Sequence, residues 1–179
     1  MEKSIVLGGG CFWCLEAVFQ RLVGVTAVRS GYAGDTEERA NYELVCSGLT
    51  RHVEVVELLY DSTVLSLEEI LEVFWTVHDP TTPDQQGNDK GPQYRSAIFY
   101  NNEEERLIAQ KSVDELATKL YSDPVVTELA LLEEFFPAEE YHHNYYNRIG
   151  NRNPYCTFVV NPKVQKFKKH FAHKMKTSD

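Results

Sequence analysis

The stretch Ser4-Ile5-Val6-Leu7-Gly8-Gly9-Gly10-Cys11-Phe12-Trp13-Cys14-Leu15 sets the reading of the whole chain. Ser4–Leu7 is a short run of β-type residues, and three glycines end it. From Cys11 to Leu22 the apolar residues Phe12, Leu15, Val18, Phe19 and Leu22 recur at helical spacing. The unit therefore reads strand, glycine turn, helix, with Cys11 at the helix N-terminus. Glycines leave no side chain on the approach to Cys11 and admit positive φ angles. Unpaired N–H groups and the positive end of the helix dipole favour a thiolate there, so a lowered Cys11 pKa is expected. The thiolate is the nucleophilic form of cysteine. Cys14 follows one helical turn later on the same face, within reach of a disulfide.

Outward from this unit, Val25–Tyr32 and His52–Tyr60 read as strands. Ser66-Leu67-Glu68-Glu69 is a capping-box pattern that opens a helix running to Thr76. His78–Gln93 is rich in Pro, Gly, Asp, Asn and Thr and reads as a long loop, a length often reserved for function. Ser96–Tyr100 reads as a strand, Glu103–Leu120 as a long amphipathic helix and Val125–Leu132 as a strand. Asn41–Ser47 fits no single pattern, and Phe135–Asn147 is aromatic, His-rich and interrupted by Pro137. Thr157–Val160 reads as a short strand and Pro162–His173 as a terminal helix with proline in its first turn. No repeat or linker divides the chain, so residues 1–179 are expected to form a single domain. Strands and helices interleave without the regular alternation of a doubly wound sheet. The expected class is α+β, with helices packed on a mostly antiparallel or mixed sheet.

With 179 residues the chain can bury one substantial core. A formal net charge of -9 argues against nucleic acid and anionic membrane surfaces as partners. Lys163, Lys166, Lys168 and Lys169 read as a solvated helix face. No apolar run reaches the roughly 18 residues of a membrane span, and the N-terminus lacks a signal-peptide pattern, so a cytoplasmic location is expected. The four cysteines are too few and too scattered for a disulfide scaffold. One C-x-x-C without a second pair, and no H-E-x-x-H, lead us to expect no metal.

Glu54 lies between Val53 and Val55-Val56. It shares a face with Val56 and Leu58, or else lies on the wet side of an edge strand. On an apolar face the carboxyl would be protonated near neutral pH and suited to general acid work. Phe12 and Trp13 flank the thiol, either as core packing or as an apolar wall for a methyl or thioether group. Asp89, in Gly87-Asn88-Asp89-Lys90-Gly91, reads as a turn residue. Tyr42 and Tyr94 are hydrogen-bond donors or packing residues. Cys46 reads as a buried structural thiol, and Cys156 stays undecided. From C-x-x-C alone a thioredoxin-like disulfide oxidoreductase is an alternative, and a Tyr-rich peptide-binding module is another.

Five blocks in order carry a more specific resemblance. They are Gly10-Cys11-Phe12-Trp13, Tyr42-Glu43-Leu44-Val45-Cys46-Ser47-Gly48, His52-Val53-Glu54-Val55-Val56, Gly87-Asn88-Asp89 with Gln93-Tyr94-Arg95-Ser96, and Phe136-Pro137-Ala138-Glu139-Glu140-Tyr141-His142. Together they resemble the A class of peptide methionine sulfoxide reductases, nearly end to end. The resemblance implies a two-layer αβ sandwich with a ferredoxin-like core, additional helices and long active-site loops. It implies reduction of methionine S-sulfoxide, free or in oxidised proteins, a reaction of protein repair under oxidative stress. Cys11 is then the nucleophile and Glu54 the acid that protonates the sulfoxide oxygen. Tyr42, Tyr94 and Asp89 polarise or orient that oxygen and the carboxyl, and Phe12 and Trp13 hold the S-methyl group. No cofactor is bound. An external dithiol, thioredoxin or dithiothreitol, resets the enzyme, and a monomer is expected. Many members carry resolving cysteines in a glycine-rich C-terminal tail. Here no cysteine follows Cys156, and Cys14 stands where glycine is common. Cys14 is therefore the expected resolving thiol, with Cys156 as runner-up.

Overall fold

The structure is a computed structural model that describes residues 1–177. Its main sheet runs β7-β6-β1-β3-β2-β8. The strands are β1 (Glu2–Gly8), β2 (Val25–Ala33), β3 (Val53–Asp61), β6 (Ala97–Tyr100), β7 (Glu128–Leu131) and β8 (Phe136–Pro137). Neighbours are antiparallel except β6 and β7, which are parallel. The sheet is therefore mixed, within an α+β fold, as the irregular order of elements led us to expect. β4 (Gln85–Gln86) and β5 (Asp89–Lys90) form a separate hairpin inside the long loop.

Alternation along β3 decides what each face does. Val56, Leu58 and Tyr60 point to the main core, which α1 (Phe12–Phe19), α3 (Leu67–Val77) and α7 (Asn161–His170) cover. Val53 and Val55 point the other way, into a smaller cluster with Val6, Ala97 and Phe99, covered by Leu132 and Phe135. Seven of the eight residues of α1 are buried. At roughly 1.5–3 kcal/mol for each large apolar side chain, that packing fixes the helix more firmly than its own propensity does. α3 begins with the expected capping box. Ser66 Oγ accepts from Glu69 N–H at 3.2 Å, and the Glu69 carboxylate accepts from Ser66 N–H at 2.8 Å.

Several boundaries differ from the sequence reading. The first helix ends at Phe19 rather than Leu22. Asn41–Ser47 contains α2 (Tyr42–Cys46), capped by the Asn41 side chain, which accepts from Leu44 N–H at 3.0 Å. Glu103–Leu120 is helical throughout, as α4 (Glu103–Ser112), a π turn and α5 (Thr118–Leu120). Thr157–Val160 is not a strand. Cys156–Val160 is a π-helical turn that runs directly into α7. Its β-branched residues suggested a strand, yet the buried positions Cys156, Val160, Val164 and Phe167 follow helical spacing. The wide turn accommodates Pro162, which cannot donate to the preceding turn. Among the described residues no helix is long and apolar enough to cross a membrane.

Candidate active site

Cys11 is the N-cap of α1, with extended backbone, and its carbonyl accepts from Cys14 N–H at 3.1 Å. Gly10 before it has φ +88, and its N–H donates to the Tyr94 carbonyl at 3.1 Å. Gly8 is needed for a different reason. A Cβ there would stand 2.6 Å from Val53 Cγ1 and 3.2 Å from the Glu54 carbonyl oxygen. Only glycine lets β1 approach β3 closely enough to set Glu54 beside the start of α1.

Glu54 belongs to the central strand β3, paired opposite Tyr32 of β2, and it is fully buried on the face shared with Val56 and Leu58. Of the two sequence readings, the apolar face is the one found. Phe12 N–H donates to Glu54 Oε1 at 3.2 Å, while Oε2 has no protein partner. Burial pushes the carboxyl up to about 8 against the pull of the Phe12 N–H, and Asp89 adds to the rise. At neutral pH the group is a carboxylic acid.

The Cys11 thiol departs from expectation. It is only 9% exposed, and burial pushes its pKa well above the ordinary value, with Glu54 and then Cys14 pushing the same way. The one backbone N–H that favours its anion, from Trp13, is outweighed. Loss of hydration wins over the helix terminus here. Thiol and carboxyl thus rest as a neutral pair.

The other expected site residues gather around this pair. Tyr42 begins α2, and Tyr94 ends the turn Pro92–Tyr94. Both phenols are pushed up chiefly by burial, with Cys46, Glu54 and Cys11 contributing, so they remain donors. Asp89 is carried by β5, and its Oδ2 accepts from Tyr155 Oη at 2.5 Å. The fully buried Phe12 ring has centroid distances of 5.7 Å to Tyr32 and 5.0 Å to His142. Trp13 stacks on Tyr145 at 3.8 Å and donates through Nε1 to His142 Nδ1 at 3.1 Å. Burial lowers His142 to about 4, so the ring is neutral with its proton on Nε2.

Several of these partners were not singled out from the sequence. Glu139 accepts from Tyr32 Oη at 2.8 Å and from Tyr42 N–H at 2.9 Å, tying α2 to the sheet. Glu16, buried on α1, accepts from the N–H groups of Asn144 and Tyr145 at 2.9 and 3.1 Å. It anchors the segment that bears His142 and Tyr145. Glu139 and His142 lie within the block that carried the family resemblance, and Tyr155 adjoins Cys156; those were the only signals. The four cysteines are free thiols. Cys14 is buried beside the site, and Cys156 is buried among core residues. Cys46, expected to be buried, is exposed, because α2 lies at the surface with its outer side in solvent.

Known proteins resemble this chain in sequence and in fold. The family model described as peptide methionine sulfoxide reductase matches residues 3–175. The peptide methionine sulfoxide reductase MsrA of Trichodesmium erythraeum is 48% identical over 172 residues, spanning 96% of this chain and 97% of that one. The protein of the same name from Saccharolobus solfataricus is 50% identical over 170 residues, 95% of each chain. Among solved structures, methionine sulfoxide reductase A of Corynebacterium diphtheriae aligns with TM-score 0.77 and 34% identity, over 82% of this chain and 74% of that one. Mxr1 from Saccharomyces cerevisiae in reduced form gives 0.77 and 31%, over 82% and 85%. Matched almost end to end by the family model and by relatives of about half-identical sequence, this chain belongs to the peptide methionine sulfoxide reductase family, with reduction of methionine sulfoxide as its activity.

Proposed function

We propose that Cys11 is the nucleophile and Glu54 the general acid in the reduction of methionine S-sulfoxide, and that the free Oε2 of Glu54 is the observation that carries this assignment. A buried polar atom without a partner is costly, and a substrate oxygen would satisfy it. Glu54 gives its proton to the sulfoxide oxygen, aided by Tyr42 and Tyr94. Asp89 holds the surrounding donors in place, and Phe12 and Trp13 line the methyl group. The Cys11 sulfur attacks the sulfoxide sulfur. Oxygen passes to Cys11 as a sulfenic acid, and methionine leaves two electrons richer. The oxygen keeps the proton from Glu54, and the thiol proton lost by Cys11 returns to the Glu54 carboxylate, so the step balances without a metal or bound cofactor.

Cys14 then condenses with the sulfenic acid to form a disulfide. Its place one helical turn from Cys11, with its N–H on the Cys11 carbonyl, supports it over Cys156, which lies in the turn before α7. The disulfide forms inside a helical turn, and local unwinding at the start of α1 accompanies it. A dithiol resets the enzyme, dithiothreitol in the test tube and a thioredoxin in the cell. Yeast Mxr1 has been solved in complex with Trx2. Substrates are free methionine sulfoxide and oxidised proteins. The chain acts as one catalytic domain, a monomer of the cytoplasm. Its β1–α1–β2–β3–α3–β6 run, with strand order β6-β1-β3-β2, supports a ferredoxin-like two-layer core.

The test compares the parent with Cys11→Ser and Cys14→Ser on methionine sulfoxide. Cys11→Ser should be inactive with either reductant. Cys14→Ser should turn over with dithiothreitol and fail with thioredoxin. Activity retained in Cys11→Ser overturns the nucleophile assignment.

A further inference from the structure

Lys163 lies at the start of α7, half-buried and without an ion-pair partner among the described residues. α7 packs against α1, and Lys163 Nζ stands 3.7 Å from the place a Cβ on Gly10 would occupy. A half-buried ammonium loses hydration, so an unpaired one beside the glycine that precedes Cys11 calls for an anion. Tyr155, in the turn that leads into α7, meets the edge of Trp13 at a centroid distance of 5.8 Å and donates to Asp89. One side of α1 thus faces a cation and a phenol that the first chemical step does not use.

We propose that Lys163 is a positioning residue for the resolving step, holding the Cys14 sulfur as its anion beside the oxidised Cys11. The proposal rests on the assignment of Cys14 as the resolving thiol. The Cys14 anion attacks the sulfur of the Cys11 sulfenic acid. An S–S bond forms as the S–O bond breaks. The departing hydroxide takes up a proton equal to the one Cys14 gave up and leaves as water. Cys14 rises from thiol to disulfide level while Cys11 falls to the same level, so no outside oxidant enters.

The electrostatics of Cys14 agree with this arrangement. Burial raises its pKa, and Lys163 is the leading influence that lowers it. Asp89 from β5 raises it, as does Glu54 from β3 where that carboxyl is ionised. His78, at the end of α3, also feels Lys163, but burial already lowers it to about 3, so it stays neutral through the working range. Asp79 follows His78 in the chain and bears on the same imidazole.

Removing a nearby cation raises a thiol pKa by about one unit, which leaves about tenfold less thiolate below that pKa. A thiolate of higher pKa is intrinsically about threefold more nucleophilic, so disulfide formation slows by about threefold net. The pH profile itself moves up by about one unit.

The experiment mixes the reduced full-length enzyme with excess methionine sulfoxide and no reductant, from pH 6 to pH 10. Methionine release and disulfide formation are followed separately by quench, alkylation and mass mapping, for the parent, Lys163→Met and Lys163→Arg. The expected result is a Cys11–Cys14 disulfide in the parent. Lys163→Met should release methionine at the parental rate while its disulfide profile shifts upward, and Lys163→Arg should keep the parental profile. A Cys11–Cys14 disulfide with an unmoved Lys163→Met profile overturns the role of Lys163 alone, as does Lys163→Arg behaving like Lys163→Met. A Cys11–Cys156 disulfide in the parent overturns the Cys14 assignment and this proposal with it.

Discussion

Replacing Glu54 by Gln keeps the size of the side chain and removes its titratable proton. With the carboxyl at about 8, roughly ten molecules in eleven carry the proton at pH 7. At the ordinary value of 4.5 only about one in 300 would. Burial on the inner face of β3 therefore supplies about 300-fold in the population ready to protonate a sulfoxide. A placed general acid contributes about 100- to 10,000-fold to the step it assists. Glu54→Gln should accordingly release methionine at least ~100-fold more slowly in a single turnover at pH 7. In the parent, that rate should fall as pH rises through about 8, where the acid form is lost. The residual rate of the variant should lack this descending limb. Rapid-quench measurement of methionine against pH, with folding checked by circular dichroism, decides the matter. A Glu54→Gln rate within a few-fold of the parent would refute the general-acid argument.

The same carboxyl has a consequence for stability. Between pH 4.5 and about 8 the native state holds a proton that the unfolded chain has released, so parental stability falls as pH rises across that window. Glu54→Gln lacks this slope. Its advantage over the parent in urea unfolding should grow on the order of 3 kcal/mol from pH 4.5 to pH 7, and parallel curves would contradict it. Gly10→Ala must place a Cβ at φ +88, 2.7 Å from Gln86 Cγ. It should lose about 1–3 kcal/mol in urea unfolding, and no loss would mean that the turn relaxes freely. His142→Ala removes the acceptor of the Trp13 indole N–H. Steady-state kinetics should show KM raised more than kcat is changed. Because His142 lies at about 4, the parental KM should show no His142 titration between pH 5.5 and pH 8.

The parts of the site that were legible in the sequence are those built by local pattern. Gly10 and Cys11 announce a turn and a helix start within a few residues, and the alternation around Glu54 places its carboxyl on one face of a strand. Burial was harder to foresee, and it reversed the expected direction of the Cys11 pKa. A helix terminus can be read from neighbours in the chain. The loss of water around a thiol depends on Tyr155, Glu54 and α7, which arrive from far away. Glu16, Glu139 and His142 were illegible for the same reason. Each acts through a partner more than 90 residues distant, Glu16 to Asn144, Tyr42 to Glu139 and Trp13 to His142. Thr157–Val160 failed differently. Four residues are too few to separate a strand from a helical turn, and only the spacing on to Val164 and Phe167 settles it.

The ties that assemble the site span 42 residues between Phe12 and Glu54, 66 between Asp89 and Tyr155, and 129 between Trp13 and His142. Such long loops close at an entropic cost and fold slowly compared with local contacts. On the ribosome Cys11 is made before Glu54, Asp89, His142 and Tyr155. Trp13 gains its His142 clasp only after a further 129 residues have been added, and Tyr155 comes later still. Until Glu54 and the later segments dock, nothing buries the Cys11 thiol. In refolding, catalytic competence should return with the last docking of the His142–Tyr155 segment, which makes enzymatic activity a clock for the end of folding rather than its beginning.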